Sequence, residues 1–273
     1  MWSIAIYKGD SPYHLQPPAE IRNPVLTYAS VTDIPATFVA DPFMVRGNMF
    51  FEVLDKNSKG RIGLATSANG LEWDYQQIVL TEEFHLSYPY VFEWDRAIYM
   101  IPETLGAKAV CLYQADEFPT RWSRKARLIE GQHADPSIVR FGDRWWLFTC
   151  STPYQHDTLR LYFADELSGP WREHPKSPII RNDKARARPA GRVLTFNDKL
   201  IRFAQDCGPY YGARVRAFDV IELTTTHYVE VENPASPILQ PNGTGWNALG
   251  MHHVDAHQQA DGSWLACVDG HTR

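Results

Sequence analysis

The sequence predicts an all-β fold, a five-bladed β-propeller, from a proline-centred motif recurring at a near-constant period and from short β-rich runs filling each interval. The motif occurs as Ala40-Asp41-Pro42-Phe43, Ser87-Tyr88-Pro89-Tyr90, Ala134-Asp135-Pro136-Ser137 and Ala187-Arg188-Pro189-Ala190. Its prolines are spaced by 47, 47 and 53 residues. A period of this length with four strands per repeat describes a propeller blade. One domain is expected over residues 1–273.

In the first repeat Pro42–Val45 precedes a turn at Arg46–Asn48, then come Met49–Val53, Arg61–Thr66 and Trp73–Leu80. The second repeat supplies Tyr90–Phe92, Ala97–Ile101, Ala109–Gln114 and Arg127–Ile129, with its first turn at Glu93–Asp95. The third supplies Ser137–Phe141, Arg144–Thr149, Leu159–Ala164 and Ser177–Ile180. The fourth runs through Gly191–Leu194, Lys199–Phe203, Ala213–Phe218 and Tyr228–Val231. Runs of four to six β-branched and aromatic residues between Gly, Asn and Asp turns read as antiparallel meanders. A degenerate fifth opener lies at Gly250–Asp255, followed by Ser263–Val268. Two strands are then wanting, and Ser3–Tyr7 and Val25–Tyr28 are expected to supply them from the N-terminus. Such closure removes exposed sheet edges.

Composition narrows the function classes. The 273 residues are 44 % hydrophobic and carry a net charge of −5, with Arg181–Arg192 the one basic cluster. That balance disfavours a nucleic-acid partner. No apolar run is long enough for a transmembrane helix, and the N-terminus lacks the pattern of a signal peptide. The four cysteines, Cys111, Cys150, Cys207 and Cys267, form no close pair. Free thiols and a cytoplasmic location are therefore expected, without a zinc site.

In a blade the first residues of strand one and the last of strand two share one rim of the axial funnel. This selects Asp41, Tyr88, Asp135, Arg188 and His252 or His253 from the openers, and Glu52, Glu103, Gln205 and Asp206 from the strand-two ends. Alternation suggests that one of the two histidines faces the funnel and the other a neighbouring blade. Carboxylates beside an Arg and a His make an acid–base pocket. An Asp before Pro also forms turns with no further role, but recurrence at equivalent positions favours function for Asp41 and Asp135. His133 is a weaker candidate, and Trp145 and Trp146 read as core. Carboxyl groups with aromatic residues suit a carbohydrate, and glycosidic cleavage commonly uses two of them.

Ala40-Asp41-Pro42, Tyr88-Pro89, Asp135-Pro136-Ser137, Trp145–Phe148 and Leu167–Trp171 resemble the five-bladed glycosidases of the arabinanase/β-xylosidase superfamily. The resemblance implies a general base at Asp41, an acid-tuning carboxylate at Asp135 and the fifth-blade histidine at His252 or His253. No cofactor is expected, although propellers of that superfamily sometimes hold a cation on the axis, for which His252 would be the ligand here. The chain departs at blade four, where those enzymes carry their acid in a Glu-Gly-Pro opener and this chain has Arg188-Pro189-Ala190-Gly191. A closer resemblance rests on Phe38–Phe43, Phe51-Glu52, Tyr88–Phe92, Tyr99–Glu103, Arg188–Gly191, Gln205–Cys207 and Tyr211-Gly212. These are similar to the propeller domain found N-terminal in plant glucosamine inositolphosphorylceramide transferases and free-standing in bacteria. In the plant proteins a separate glycosyltransferase domain follows. This resemblance implies a carbohydrate context, with Glu52, Glu103, Arg188 and Gln205 lining the pocket.

The leading expectation is a glycoside hydrolase-like enzyme that cleaves or transfers a glycosidic bond of a small-molecule or oligosaccharide substrate. Asp41 would be its base or nucleophile, Glu103 its proton donor with Glu52 as the alternative, and Arg188 the ligand of an anionic group on the sugar. The competing expectations are a glycan-binding propeller without turnover, a biosynthetic partner of a glycosyltransferase, and a cyclase or lyase using the same scaffold.

Overall fold

The computed structural model describes residues 1–273 and contains 21 strands with three short 3-10 turns. The chain opens with β1 (Trp2–Ser11) and β2 (His14–Gln16). Blade one follows as β3 (Ala36–Val45), β4 (Asn48–Asp55), β5 (Gly60–Thr66) and β6 (Asp74–Leu80). Blade two comprises β7 (Ser87–Trp94), β8 (Ala97–Glu103), β9 (Ala109–Glu117) and β10 (Arg121–Glu130). Blade three comprises β11 (Ala134–Phe141), β12 (Arg144–Cys150), β13 (Leu159–Ala164) and β14 (Arg172–Glu173). In blade four the inner strand is split into β15 (Arg188–Pro189) and β16 (Leu194–Phe196), both paired with β17 (Lys199–Asp206). β18 (Arg214–Leu223) and β19 (Tyr228–Glu232) complete it. Blade five is β20 (Val254–Gln258) and β21 (Trp264–His271), finished by β1 and β2 from the other end of the chain. The register of that closure runs from Trp2 opposite His271 to Gly9 opposite Trp264.

Local chemistry accounts for the meanders. Arg46-Gly47, Asp95-Arg96 and Asn197-Asp198 all take positive φ, the geometry of the two-residue turns that match strand twist. Between blades, alternate residues interdigitate. Phe43, Phe50, Tyr90, Met100, Trp122 and Trp145 belong to the largest apolar cluster. The four cysteines are buried and unbridged, and no helix is long and apolar enough to cross a membrane.

Two edge strands differ from expectation. In blade three the outer place is taken by β14, while Ser177–Ile180 contributes one bridge, Ile180 to Leu159. Pro170, Pro175 and Pro178 lack the N–H that a continuous ladder needs. In blade five β2 takes the outer place, and of Val25–Tyr28 only Leu26 bridges, to Ile4. There the Thr27 hydroxyl accepts from the Ala29 N–H and starts the 3-10 turn Tyr28–Ser30, which ends the strand.

The axis is plugged. The Tyr88 hydroxyl lies 2.7 Å from Ser137 Oγ and accepts from the Gly191 N–H at 2.6 Å. The Val254 N–H donates to the Ala190 carbonyl at 2.9 Å, joining the inner strands of blades four and five. Gly191 has φ +131, and a Cβ there would sit 1.8 Å from the Val254 carbonyl oxygen. No side chain fits. Gly191→Ala is expected to destabilise the fold by about 3 kcal/mol or more, from overpacking against backbone plus strain at positive φ. Urea denaturation measures it, and a midpoint equal to wild type would contradict this account of the plug.

Candidate functional site

Each of the first three openers bends its strand. Register shifts fall between Ala40 and Phe43, Ser87 and Tyr90, and Ala134 and Ser137. At each shift the residue before proline is left-handed: Asp41 at φ 52, Tyr88 at 48 and Asp135 at 50. A pre-proline residue ordinarily stays extended, so these three positions are strained. Such bulges re-aim a side chain out of the alternating pattern. The strand-two partners stand where the register requires, Glu52 opposite Ala40, Glu103 opposite Ser87 and Gln205 opposite Arg188.

Arg188 organises one half of the rim. Its Nε donates to Asp135 Oδ2 at 2.5 Å, and its Nη2 donates to Asp135 Oδ1 at 3.2 Å and Glu103 Oε2 at 3.4 Å. Nη1 donates to the Pro153 carbonyl at 3.0 Å and lies 3.0 Å from His156 Nδ1. Gln205 Nε2 donates to Asp135 Oδ2 at 2.7 Å. Arg188, Asp135, Glu103 and Gln205 are all buried. Burial, and then the Asp135 charge, push Glu103 up to about 8 against the pull of Arg188. Burial opposes the Arg188 charge, but Asp135 first and then Tyr211 and Glu103 hold the guanidinium firmly protonated. His156 is driven down to about 4 by burial and then by Arg188, so it is neutral.

The other half gathers around Asp41. Asp269 Oδ2 accepts from the Asp41 N–H at 3.0 Å, and Asp269 Oδ1 lies 2.8 Å from His252 Nδ1. His252 Nε2 and His253 Nδ1 each lie 3.8 Å from Asp41 Oδ1. That oxygen and His253 Nδ1 are buried without a hydrogen-bond partner. Burial first, then the charges of Asp269, Asp135 and Glu52, raise Asp41 well above the ordinary carboxyl range. Burial alone would raise Asp269, but His252 outweighs it and holds this carboxyl below its usual value. Burial lowers His253 to about 4. Asp41, His252 and Asp269 can offer one ligand atom each within 4.8 Å of one another. This carboxylate–imidazole set, with the unpartnered Asp41 oxygen, fits a divalent cation.

Glu52 is buried on the same rim, and its Oε1 lies 3.2 Å from His85 Nε2. Other expected residues stand elsewhere. Asp206 is held by Arg216, at 2.9 and 2.8 Å, and by Arg214 at 3.4 Å, because alternation turns it away from its neighbour Gln205. It is a structural ion pair, not a substrate ligand. Tyr88, also expected to bind substrate, has its hydroxyl taken up by the axial plug. Both histidines, not one, approach Asp41, because β20 begins only at Val254 and residues 252–253 escape strand alternation. His133 packs on Tyr162 and bonds the Glu130 carbonyl outside this cluster. Trp145 and Trp146 are core. Arg188 directs its N–H groups to protein partners, so an anionic sugar substituent finds no free donor there.

Sequence reasoning passed over Asp269, although the strand-two rule that selected Glu52 and Glu103 also reaches it in blade five. It passed over Trp2, which stacks on His252 at 3.9 Å with planes 14° apart. Tyr211, over Arg188 at 5.1 Å, and His85 carried no repeat signal because they lie between strands.

Residues 1–271 match the family described as "Glucosamine inositolphosphorylceramide transferase 1, N-terminal". The chain belongs to this family. It is 37 % identical over 295 aligned positions to glucosamine inositolphosphorylceramide transferase 1 of Oryza sativa subsp. japonica, covering 98 % of this chain and 40 % of that protein. The protein of that name from Arabidopsis thaliana is 34 % identical, with 98 % and 39 % covered. The chain thus spans about two fifths of the length of these curated relatives. Among solved structures it is similar to a thermostable family-43 glycoside hydrolase, with TM-score 0.60, 12 % identity and 85 % of each chain covered. It is also similar to a family 117 glycoside hydrolase of Zobellia galactanivorans, with TM-score 0.57, 13 % identity, and 98 % of this chain and 90 % of that one covered. At such identities the likeness shows the fold.

Glu103 links this site to stability. The folded protein keeps the Glu103 proton up to about pH 8, against an ordinary value of 4.5. Between those values the folded state binds more protons than the unfolded state, so its stability falls as pH rises. The contribution is complete below 4.5 and lost as pH passes 8. Glu103→Gln removes it. Thermal melts should show the variant gaining on wild type between pH 5 and 8.5, and a difference independent of pH would contradict the protonated Glu103.

Proposed function

We propose that this propeller is a carbohydrate-active enzyme whose chemistry lies at the Asp41–Glu103 face. The observation that carries the reading is a buried carboxyl, Glu103, kept protonated near neutrality beside the fixed Asp135–Arg188 ion pair. Such a group can give its proton to the leaving oxygen of a glycosidic bond. It supplies the acid that the blade-four opener lacks, with Arg188 and Asp135 holding it in place. Glu52, paired with His85, is the alternative donor.

Asp41 has the complementary task. Its Oδ1 is buried and has no hydrogen-bond partner in the protein, so it is the oxygen left to engage a hydroxyl or anomeric carbon once substrate is bound. Before acting as base or nucleophile it must shed its own proton. His252 Nε2 and His253 Nδ1, each at 3.8 Å, are the ring nitrogens that face it, and Asp269 on Nδ1 of His252 fixes the orientation of that ring. The likeness to glycoside hydrolase propellers and the carbohydrate-transferring names of the relatives support a glycosidic substrate. Hydrolysis and transfer share these steps and differ in whether water or a sugar hydroxyl accepts the glycosyl group.

A second reading, glycan binding without turnover, draws on the engagement of Asp135 by Arg188 and Gln205, which leaves one fewer free carboxylate for chemistry.

Wild type, Asp41→Asn and Glu103→Gln separate the two readings on a panel of p-nitrophenyl and alkyl glycosides. Catalysis predicts wild-type turnover of at least one glycoside, reduced about 10²–10⁴-fold by Asp41→Asn. Glu103→Gln should lose as much on alkyl glycosides but far less on p-nitrophenyl ones, whose leaving group needs no proton. Wild-type turnover should also fall above about pH 8 as Glu103 ionises. Ligand binding with no product in any protein would establish the second reading. Equal turnover in all three would remove both residues from the mechanism.

A further inference from the structure

Two loops leave the acid face beside Arg188, one joining β12 to β13 and the other β17 to β18. Their inner sides are stitched to that guanidinium. The first gives it the Pro153 carbonyl and His156, and the second lays the Tyr211 ring 5.1 Å from it. His156 and Tyr211 also meet each other, with ring centroids 5.1 Å apart, and Tyr211 stands edge-on to His252 at 5.4 Å. The outer sides of the same loops are aromatic and bare. Tyr154 is 73 % exposed, Tyr210 50 % and Tyr211 41 %.

Neither core packing nor a fold constraint accounts for three exposed tyrosines on two loops that meet at Arg188. Tyr211 is the informative one. Its ring packs against Arg188, His156 and His252 while 41 % of the residue remains exposed. An aromatic ring in that position can cover the apolar face of a sugar. The charge pattern selects which sugars. Arg188 has its N–H groups on Asp135, Glu103, Pro153 and His156, and the face around it carries the buried carboxyl groups. An acidic glycan would meet repulsion without a cation free to pair with it.

We propose that Tyr154 and Tyr211 form a second sugar subsite, so that the ligand is a neutral oligosaccharide of at least two rings. One ring enters the acid pocket and the next stacks on the tyrosines. This inference rests on the carbohydrate reading of the acid face.

Calorimetric titration tests it, with the ligand's mass checked afterwards. The probes are cello-, xylo-, manno- and chitotetraose as neutral chains, tetragalacturonate as the acidic one, and the methyl glycosides of the same neutral sugars as single rings. Wild type should bind at least one neutral tetrasaccharide and prefer it to tetragalacturonate. Tyr154→Ala with Tyr211→Ala should weaken that binding about tenfold or more, and Tyr154→Ala should leave the matching methyl glycoside within about twofold. Tyr154→Ala alone, at a position 73 % exposed, guards against loss of fold and should show a smaller loss of the same kind. Unchanged tetrasaccharide binding in the variants, or preference for tetragalacturonate, overturns the subsite and leaves the carbohydrate reading standing. Failure of wild type to bind any of these sugars overturns both.

Discussion

One guanidinium makes the acid face tenable. Five carboxyl groups, Asp41, Glu52, Glu103, Asp135 and Asp269, are buried on one rim of the propeller. Among them Arg188 is the one permanently charged cation, and it bonds two of the five. A buried ion pair of this kind is weak evidence of stability, since desolvation offsets much of the attraction, but removing one partner strands the other. Of the other three, Asp269 and Glu52 face imidazoles, His252 and His85, and Asp41 keeps its proton, as Glu103 also does beside Arg188. The repeat concentrates negative charge at the axis, and these three devices are how the chain accommodates it.

The same balance sets what chemistry is available. A carboxyl that stays protonated near neutrality beside an ionised one is the arrangement from which acid and base roles separate. Here the departure at blade four is instructive. Arg188 stands in the opener where a carboxyl was expected, and it bonds both Glu103 and Asp135, while burial first and then the Asp135 charge raise Glu103.

The plug through Tyr88, Ser137 and Gly191 divides the axis, so the two mouths are chemically independent. On the far side Arg192 donates to Asp255 at 2.5 Å, and Asp255 also accepts from the Met44 N–H at 2.6 Å and lies 2.8 Å from His257. Burial alone would raise Asp255, but Arg192 and His257 hold it well below the ordinary range. That closed network leaves its partners satisfied, whereas the acid face keeps Asp41 Oδ1 and His253 Nδ1 unpaired.

The period of the Pro-centred openers, with hairpin turns such as Arg46-Gly47, was enough to read five blades, their closure from the N-terminus, and the rim on which Asp41, Asp135, Arg188, Glu52, Glu103 and Gln205 stand. Backbone periodicity maps directly onto blade geometry, and the same rule would have reached Asp269. What tertiary structure alone decided is where each side chain turns and which proton it holds. Asp206 and Gln205 are neighbours in sequence yet face opposite ways. Tyr88 occupies an opener position like Asp41 but serves the plug, and both His252 and His253 approach Asp41 because strand alternation has not yet begun. The elevated carboxyls and the aromatic mouth depend on burial and on contacts between blades some fifty or more residues apart, such as Arg188 with Asp135. Those are properties of the closed ring, which no single repeat carries by itself.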